Sequence, residues 1–243
     1  MAKQVGIYQF NGKLGEAVGS KARKGYQVVK RAPVATKNPS TKAQVIQRAI
    51  FAACTASGAA VPEGAIVGLR PYANGGGMSI RNAFSKLLQK TGAIVATWHQ
   101  DTQEATTTFD KTKVVYARGN QPNIIAGAPD FDIPNALEFS YDLGDLNPHT
   151  TNLIVIVWCS DFKQFVVKKL TDIRASGTAH IEVPALWNGV KVDIYVYTQC
   201  FENADQKRAL YEAEIYAAVG EIKTAESNAK YSNSAYIGSG TIG

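Results

Sequence analysis

Leu153-Ile154-Val155-Ile156-Val157-Trp158 is an unbroken apolar run, and its β-branched content and short length predict a strand covered on both faces. Ser160-Asp161 follows as a turn into a second extended stretch, Phe162 to Leu170, so the two are expected to form a hairpin. Further along, Val190, Val192, Ile194 and Val196 alternate with Lys191, Asp193, Tyr195 and Tyr197, a period of two that predicts a strand with one buried face. Other strands are expected at Ile94–Trp98, Lys113–Ala117, Leu137–Tyr141 and Ala179–Val183, with a final edge strand in Ser232–Gly240. Short strands separated by turn signals, with no helices between them, predict an antiparallel β-sandwich of immunoglobulin-like size over residues 93–243. Tyr211–Glu226 reads equally as a short helix or an inserted strand.

Residues 1–92 have a different character. Gly6–Phe10, Asn11-Gly12 and Lys13–Gly19 read as a hairpin turning at the Asn-Gly pair, and Gly25–Arg31 adds a third extended stretch. Asn38 followed by Pro39 is a helix-start signal, because the cap side chain satisfies an orphan amide and proline at the first helical position loses nothing. The helix is expected to reach Ser57, with Ala43, Ile46, Ile50 and Ala53 on one face. Pro62–Gly77 reads as a loop with a hinge at Gly75-Gly76-Gly77, and a second helix is expected from Ser79 to Thr91, stopped by Gly92. The fold class is therefore mainly β, α+β overall: a small N-terminal β module with two helices, then the sandwich.

Charge is distributed unevenly. The first 48 residues hold ten Lys/Arg against Glu16, while the whole chain is +6, which leaves residues 49–243 at −3. A basic end on an acidic body implies attachment to something acidic, such as nucleic acid, an anionic surface or a neighbouring subunit. The candidate anchoring residues are Lys13, Lys21, Arg23, Lys24, Tyr26, Lys30, Arg31, Lys37 and Arg48. An extended strand carrying them could follow a phosphate backbone with Tyr26 stacked on a base. The same lysines would also serve as a guard against edge-to-edge aggregation on a strand that docks on another subunit.

Signals for chemistry are sparse. His99, His149 and His180 lack metal-ligand spacing, Asp130 and Asp132 flank Phe131 as a surface pair, and no nucleophile or nucleotide-binding motif occurs. Cys54, Cys159 and Cys200 are too scattered for a disulfide framework and read as buried thiols. No run approaches the roughly 18 apolar residues of a membrane span. An enzyme is not expected, nor a cofactor, a metal or a small-molecule substrate.

Two stretches together resemble a known family. One comprises Gly12-Lys13-Leu14-Gly15, Val18-Gly19-Ser20, Lys24-Gly25-Tyr26, Val29-Lys30-Arg31, Asn38-Pro39-Ser40-Thr41, Ala43-Gln44, Gln47-Arg48 and Phe51. The other comprises Arg174–Gly177, Ile181, Val183-Pro184, Trp187-Asn188-Gly189, Val192, Tyr195, Ser232-Asn233-Ser234 and Tyr236-Ile237-Gly238. They resemble an uncharacterised Bacteroidota family carried as a domain of unknown function, and the first is also similar to phage-encoded proteins of unassigned role. Relative to that pattern residues 204–230 look like an insertion. The resemblance implies a basic β module followed by a sandwich, with no activity, catalytic residue or cofactor attached.

The expectation is a non-enzymatic structural protein of a bacteriophage or phage-like particle, associated with its head or tail, assembled in the bacterial cytoplasm and homo-oligomeric among other particle subunits. The alternatives are a cytoplasmic nucleic-acid-binding protein, or a carbohydrate-binding, adhesin-like sandwich using Trp98, Trp187 and Tyr197 as exposed aromatics.

Overall fold

The computed structural model describes residues 2–4, 12–14, 17–21, 27–31, 41–215 and 229–243. The chain forms two units, Met1–Gln44 and Val45–Gly243. The first contains a four-stranded antiparallel sheet of β1 (Ala2–Gln4), β2 (Gly12–Leu14), β3 (Ala17–Lys21) and β4 (Gln27–Arg31), in the order β1-β4-β3-β2. Leu14 lies opposite Ala17, and Gly12 opposite Gly19 within the ladder. The β2–β3 pair therefore closes beyond the expected Asn11-Gly12 turn, and Asn11 itself lies outside the described residues. The local turn signal loses to a register in which β3 pairs with strands on both sides.

Helix α1 (Lys42–Ala60), all but its first three residues in the second unit, outlasts the expected end at Ser57; Asn38 and Pro39 lie outside the described residues. Its inward face runs through Ile46, Ile50, Cys54 and Gly58, whereas Ala43 is exposed. Gly58 leaves the room that Ser85 occupies, since a Cβ there would come within 2.3 Å of Ser85 Oγ and force that side chain to move. Ser85 in turn donates to the Cys54 carbonyl at 3.0 Å. The expected loop contains a short helix, α2 (Arg70–Gly75), and the triple glycine ends it. Gly76, Gly77 and Met78 donate back to Tyr72, Asn74 and Ala73, so these glycines are a hydrogen-bonded helix stop and not a hinge. Helix α3 (Ile80–Thr91) begins and ends as its sequence predicts. Ser79 Oγ accepts from Asn82 N at 3.2 Å, and Gly92 adopts the left-handed conformation at φ 69°.

The strands that follow are β5 (Ile94–His99), β6 (Glu104–Phe109), β7 (Ile125–Ala126), β8 (Ala136–Asp142), β9 (Thr151–Cys159), β10 (Gln164–Leu170), β11 (Ser176–Glu182) and β12 (Lys191–Cys200). Helix α4 (Ala204–Ile215) settles the first part of the ambiguous segment, residues 216–228 lie outside the described residues, and β13 (Lys230–Tyr231) and β14 (Ala235–Thr241) complete the chain. The strand expected at Lys113–Ala117 does not form. Val114, Tyr116 and Ala117 are buried, but the backbone there bonds elsewhere: Tyr116 N to Ser234 Oγ and Arg118 N to the Gly68 carbonyl.

A five-stranded sheet has the order β10-β9-β12, with β13 and β14 both on the far edge of β12. A three-stranded sheet has the order β11-β8-β7 and packs on one of its faces. The core between them joins Leu153, Val155 and Val157 of β9 and Val192, Ile194 and Val196 of β12 to Leu137, Phe139, Ala179 and Ile181. On the opposite face, Ile154, Ile156, Tyr195 and Tyr197 pack with Cys54, Leu69, Phe84, Leu87, Leu88 and Ile94. The two helices thus share a core with the central sheet, and the boundary expected after residue 92 falls inside the second unit. β9 is covered on both faces, as its composition predicts. So is β12, against the expectation of one buried face: Asp193, Tyr195 and Tyr197 are fully buried. Tyrosine reads as polar in an alternation pattern, yet most of its surface is an apolar ring.

Ile156→Ala, which opens a cavity under the helices, is expected to cost about 3 kcal/mol. Val95→Ala, at a half-exposed site, is expected to cost no more than about 0.5 kcal/mol. Urea unfolding of the two variants checks both values.

Candidate anchoring surface

The unit boundary is also a charge boundary. Residues 1–44 hold nine Lys/Arg (Lys3, Lys13, Lys21, Arg23, Lys24, Lys30, Arg31, Lys37 and Lys42) and one acid, a net +8. Residues 45–243 hold seventeen Lys/Arg and nineteen acids, a net −2. Register sorts the described basic positions of the sheet by face, because residues directly opposite in a ladder point the same way. Position 13 pairs with Val18, and Val18 with Lys30; position 3 pairs with Val28, which shares the face of Lys30. Positions 3, 13 and 30 therefore lie on one face, spread over three strands. Position 21 pairs with Gln27 and Ala17 with Arg31, which puts 21 and 31 on the other. Lys30 and Arg31 are exposed. Arg23, Lys24, Tyr26 and Lys37 lie outside the described residues. Arg48 is exposed on α1 and belongs to the second unit, whereas the sheet residues with which the sequence grouped it belong to the first.

The second unit keeps its most perturbed groups inside. Asp193, fully buried in the middle of β12, has Lys111 Nζ 2.5 Å from Oδ2 and the Tyr236 hydroxyl 3.5 Å from Oδ1. Tyr195 donates to the Lys111 carbonyl at 3.0 Å and sits edge-on to Tyr116, with ring centres 4.6 Å apart. Burial, and after it the neighbouring Asp193 charge, pushes the Tyr116 hydroxyl well above the ordinary tyrosine range. Burial does the same to Tyr195, with Tyr116 and Asp193 adding to it. Lys207 of α4 donates to the carbonyls of Pro148, Thr151 and Thr171 at 3.1, 2.8 and 2.5 Å, tying the helix to both ends of the β9–β10 region. Its burial lowers the ammonium pKa, and Asp172 opposes that shift.

Several sequence readings resolve here. All three cysteines are free and buried, and burial raises the thiol pKa of Cys54 and Cys200. His180 pairs with Glu138 across the β8–β11 ladder at 2.8 Å, and His99 with Thr106 at 2.7 Å. Asp130 accepts from the backbone of Asp132 at 3.0 Å, a turn-forming role. No group of three metal-ligating side chains occurs among the described residues, and no helix among them is long and apolar enough to cross a membrane. Trp187 and Tyr197 are core residues and Trp98 is half-buried, so two of the three aromatics assigned to a carbohydrate surface lie in the core instead. The Lys111–Asp193 pair had no sequence signal, since its partners come from a loop and a distant strand.

Unfolded tyrosines ionise near pH 10. Tyr116 and Tyr195 hold their protons above that point in the folded chain, so their contribution is complete below pH ~10 and declines as pH rises further. The loss is expected at about 1.4 kcal/mol per pH unit for each tyrosine. Urea midpoints measured across this alkaline range should fall more gently in Tyr195→Phe than in the parent chain.

Neither a curated protein nor a solved structure matches this chain. A family model does match, over residues 9–211. It takes in β2, β3 and β4 of the N-terminal sheet, helices α1 to α3 and the strands from β5 through β12, and it extends over the first part of α4, so residues 204–211 are not an insertion relative to it. The stretch at 232–238 lies beyond the matched range. The chain accordingly belongs to a family of unknown function, DUF6266.

Proposed function

We propose that the chain is a non-enzymatic structural component of a bacteriophage or phage-like particle, held in place by its basic N-terminal unit. The observation that carries this reading is the coincidence of charge and architecture: a net +8 on residues 1–44 beside a net −2 on the unit that contains the cores. Strands of three to five residues bury little surface. A small sheet with this charge density repels itself and gains most from an acidic surface that neutralises it. Two of the second unit's lysines hold its own elements together, as expected of a rigid structural body. Lys207 grips three carbonyls and Lys111 neutralises a buried aspartate. The phage association comes from the resemblance of the N-terminal stretch to phage-encoded proteins.

A second reading, nucleic-acid binding, is favoured by one feature, the placement of positions 3, 13 and 30 on a single face of the sheet. It predicts an affinity that falls with a slope of about −0.9 per neutralised phosphate against the logarithm of salt concentration.

The combined variant Lys13→Glu, Lys21→Glu, Lys30→Glu and Arg31→Glu tests the proposal. Incorporation into particles is expected to fall by about tenfold or more, the equivalent of one good charge pair, with the body's unfolding transition unchanged. Undiminished incorporation would overturn anchoring by charge. Loss of salt-dependent DNA binding with normal incorporation would move the assignment to the second reading.

A further inference from the structure

A cavity of about 490 Å³ opens on the helical side of the central sheet, within the range of roughly 300–1,000 Å³ typical of small-molecule sites. One wall is the C-terminal half of α1, where Ala53, Ala56 and Ala60 keep the space clear. The floor is a row of aromatic rings. Trp158 lies 4.3 Å from Phe165, Phe165 6.4 Å from Tyr116, and Tyr116 5.4 Å from Phe84, centre to centre. Thr107, Thr108 and Phe109 of β6 form the facing rim.

Two features separate this cavity from a packing defect. Tyr116 lines the cavity with its ring buried, and no protein hydrogen bond to its hydroxyl occurs among the described residues, which leaves that hydroxyl open to a polar atom entering the cavity. The second feature is charge. Lys111 is the one charged side chain among the described lining residues, and Asp193 beneath it neutralises it at 2.5 Å. An anionic ligand would have to draw Lys111 away and leave Asp193 buried without its counter-charge. A cation would meet no free carboxylate in the lining.

We propose that this cavity binds a neutral, planar aromatic molecule with one hydrogen-bonding group, its ring against Trp158, Phe165 and Tyr116 and its polar atom on the Tyr116 hydroxyl. The site is independent of the basic unit and of the anchoring role. No motif announced it, because its residues run from Ala53 to Phe165 and come together only when α1 covers the sheet.

Indole serves as the probe, with indole-3-acetate as its anionic counterpart, and ligand-detected NMR titration of the full chain as the readout. Saturable indole binding is expected, weakened about tenfold by Tyr116→Phe, the worth of one buried hydrogen bond. Ala56→Trp, which fills the cavity from an exposed wall position, should abolish it, and Ala60→Leu provides a gentler block with the same expectation. Absence of saturable indole binding would overturn the proposal. So would unchanged binding in the folded cavity-filling variants, equal binding by Tyr116→Phe, or tighter binding of indole-3-acetate than of indole.

Discussion

The pairing of β9 with β12 is the constraint on which the second unit depends. Their ladder runs from Thr151 opposite Cys200 to Cys159 opposite Val192, and both strands are buried on both faces. Successive side chains of a strand point to opposite sides, so each must find a layer on either side of the sheet. Leu153, Val155 and Val157 are met by the β8–β11 sheet, and Ile154 and Ile156 by the helices. A two-layer sandwich would have left the second set in water. The helices are therefore a structural necessity of this strand pair, which explains why they share its core.

The tyrosines of β12 show how polarity is managed in such a layer. Tyr195 and Tyr197 present rings to the helical core and send their hydroxyls to carbonyls at its margin, Tyr195 to Lys111 and Tyr197 to Ala65 at 3.3 Å. Asp193 has no such reach. Its carboxylate stays under the layer and draws in Lys111, whose loop follows β6. A buried pair of this kind is weak evidence for stability, because desolvation offsets much of the attraction. What it fixes is position: it holds the loop that borders the aromatic floor.

Much of this organisation was legible in the sequence, for reasons that differ by element. Leu153–Trp158 could be read because a six-residue apolar run admits little besides a buried strand, and α3 because Ser79 and Gly92 mark both of its ends. The helical core was less legible. Its members lie in α1, α3, β5, β9 and β12, and no local pattern records which distant face an amphipathic helix will cover. The Lys113–Ala117 strand was misread because burial produces the same apolar pattern whether or not a neighbouring strand accepts the backbone bonds. The anchoring surface was legible only as charge. Register then added its faces, and the unit boundary removed Arg48 from the group.

The same segregation of charge carries the functional account, since the basic excess read from the first 48 residues falls almost wholly within the unit that ends at residue 44. The most direct test of that account is quantitative peptide mass spectrometry on density-gradient-purified particles from the producing culture, with this chain measured against the major shell protein. A fixed ratio across gradient fractions and preparations is the predicted result. Recovery of the chain wholly outside the particle fractions would contradict the structural role.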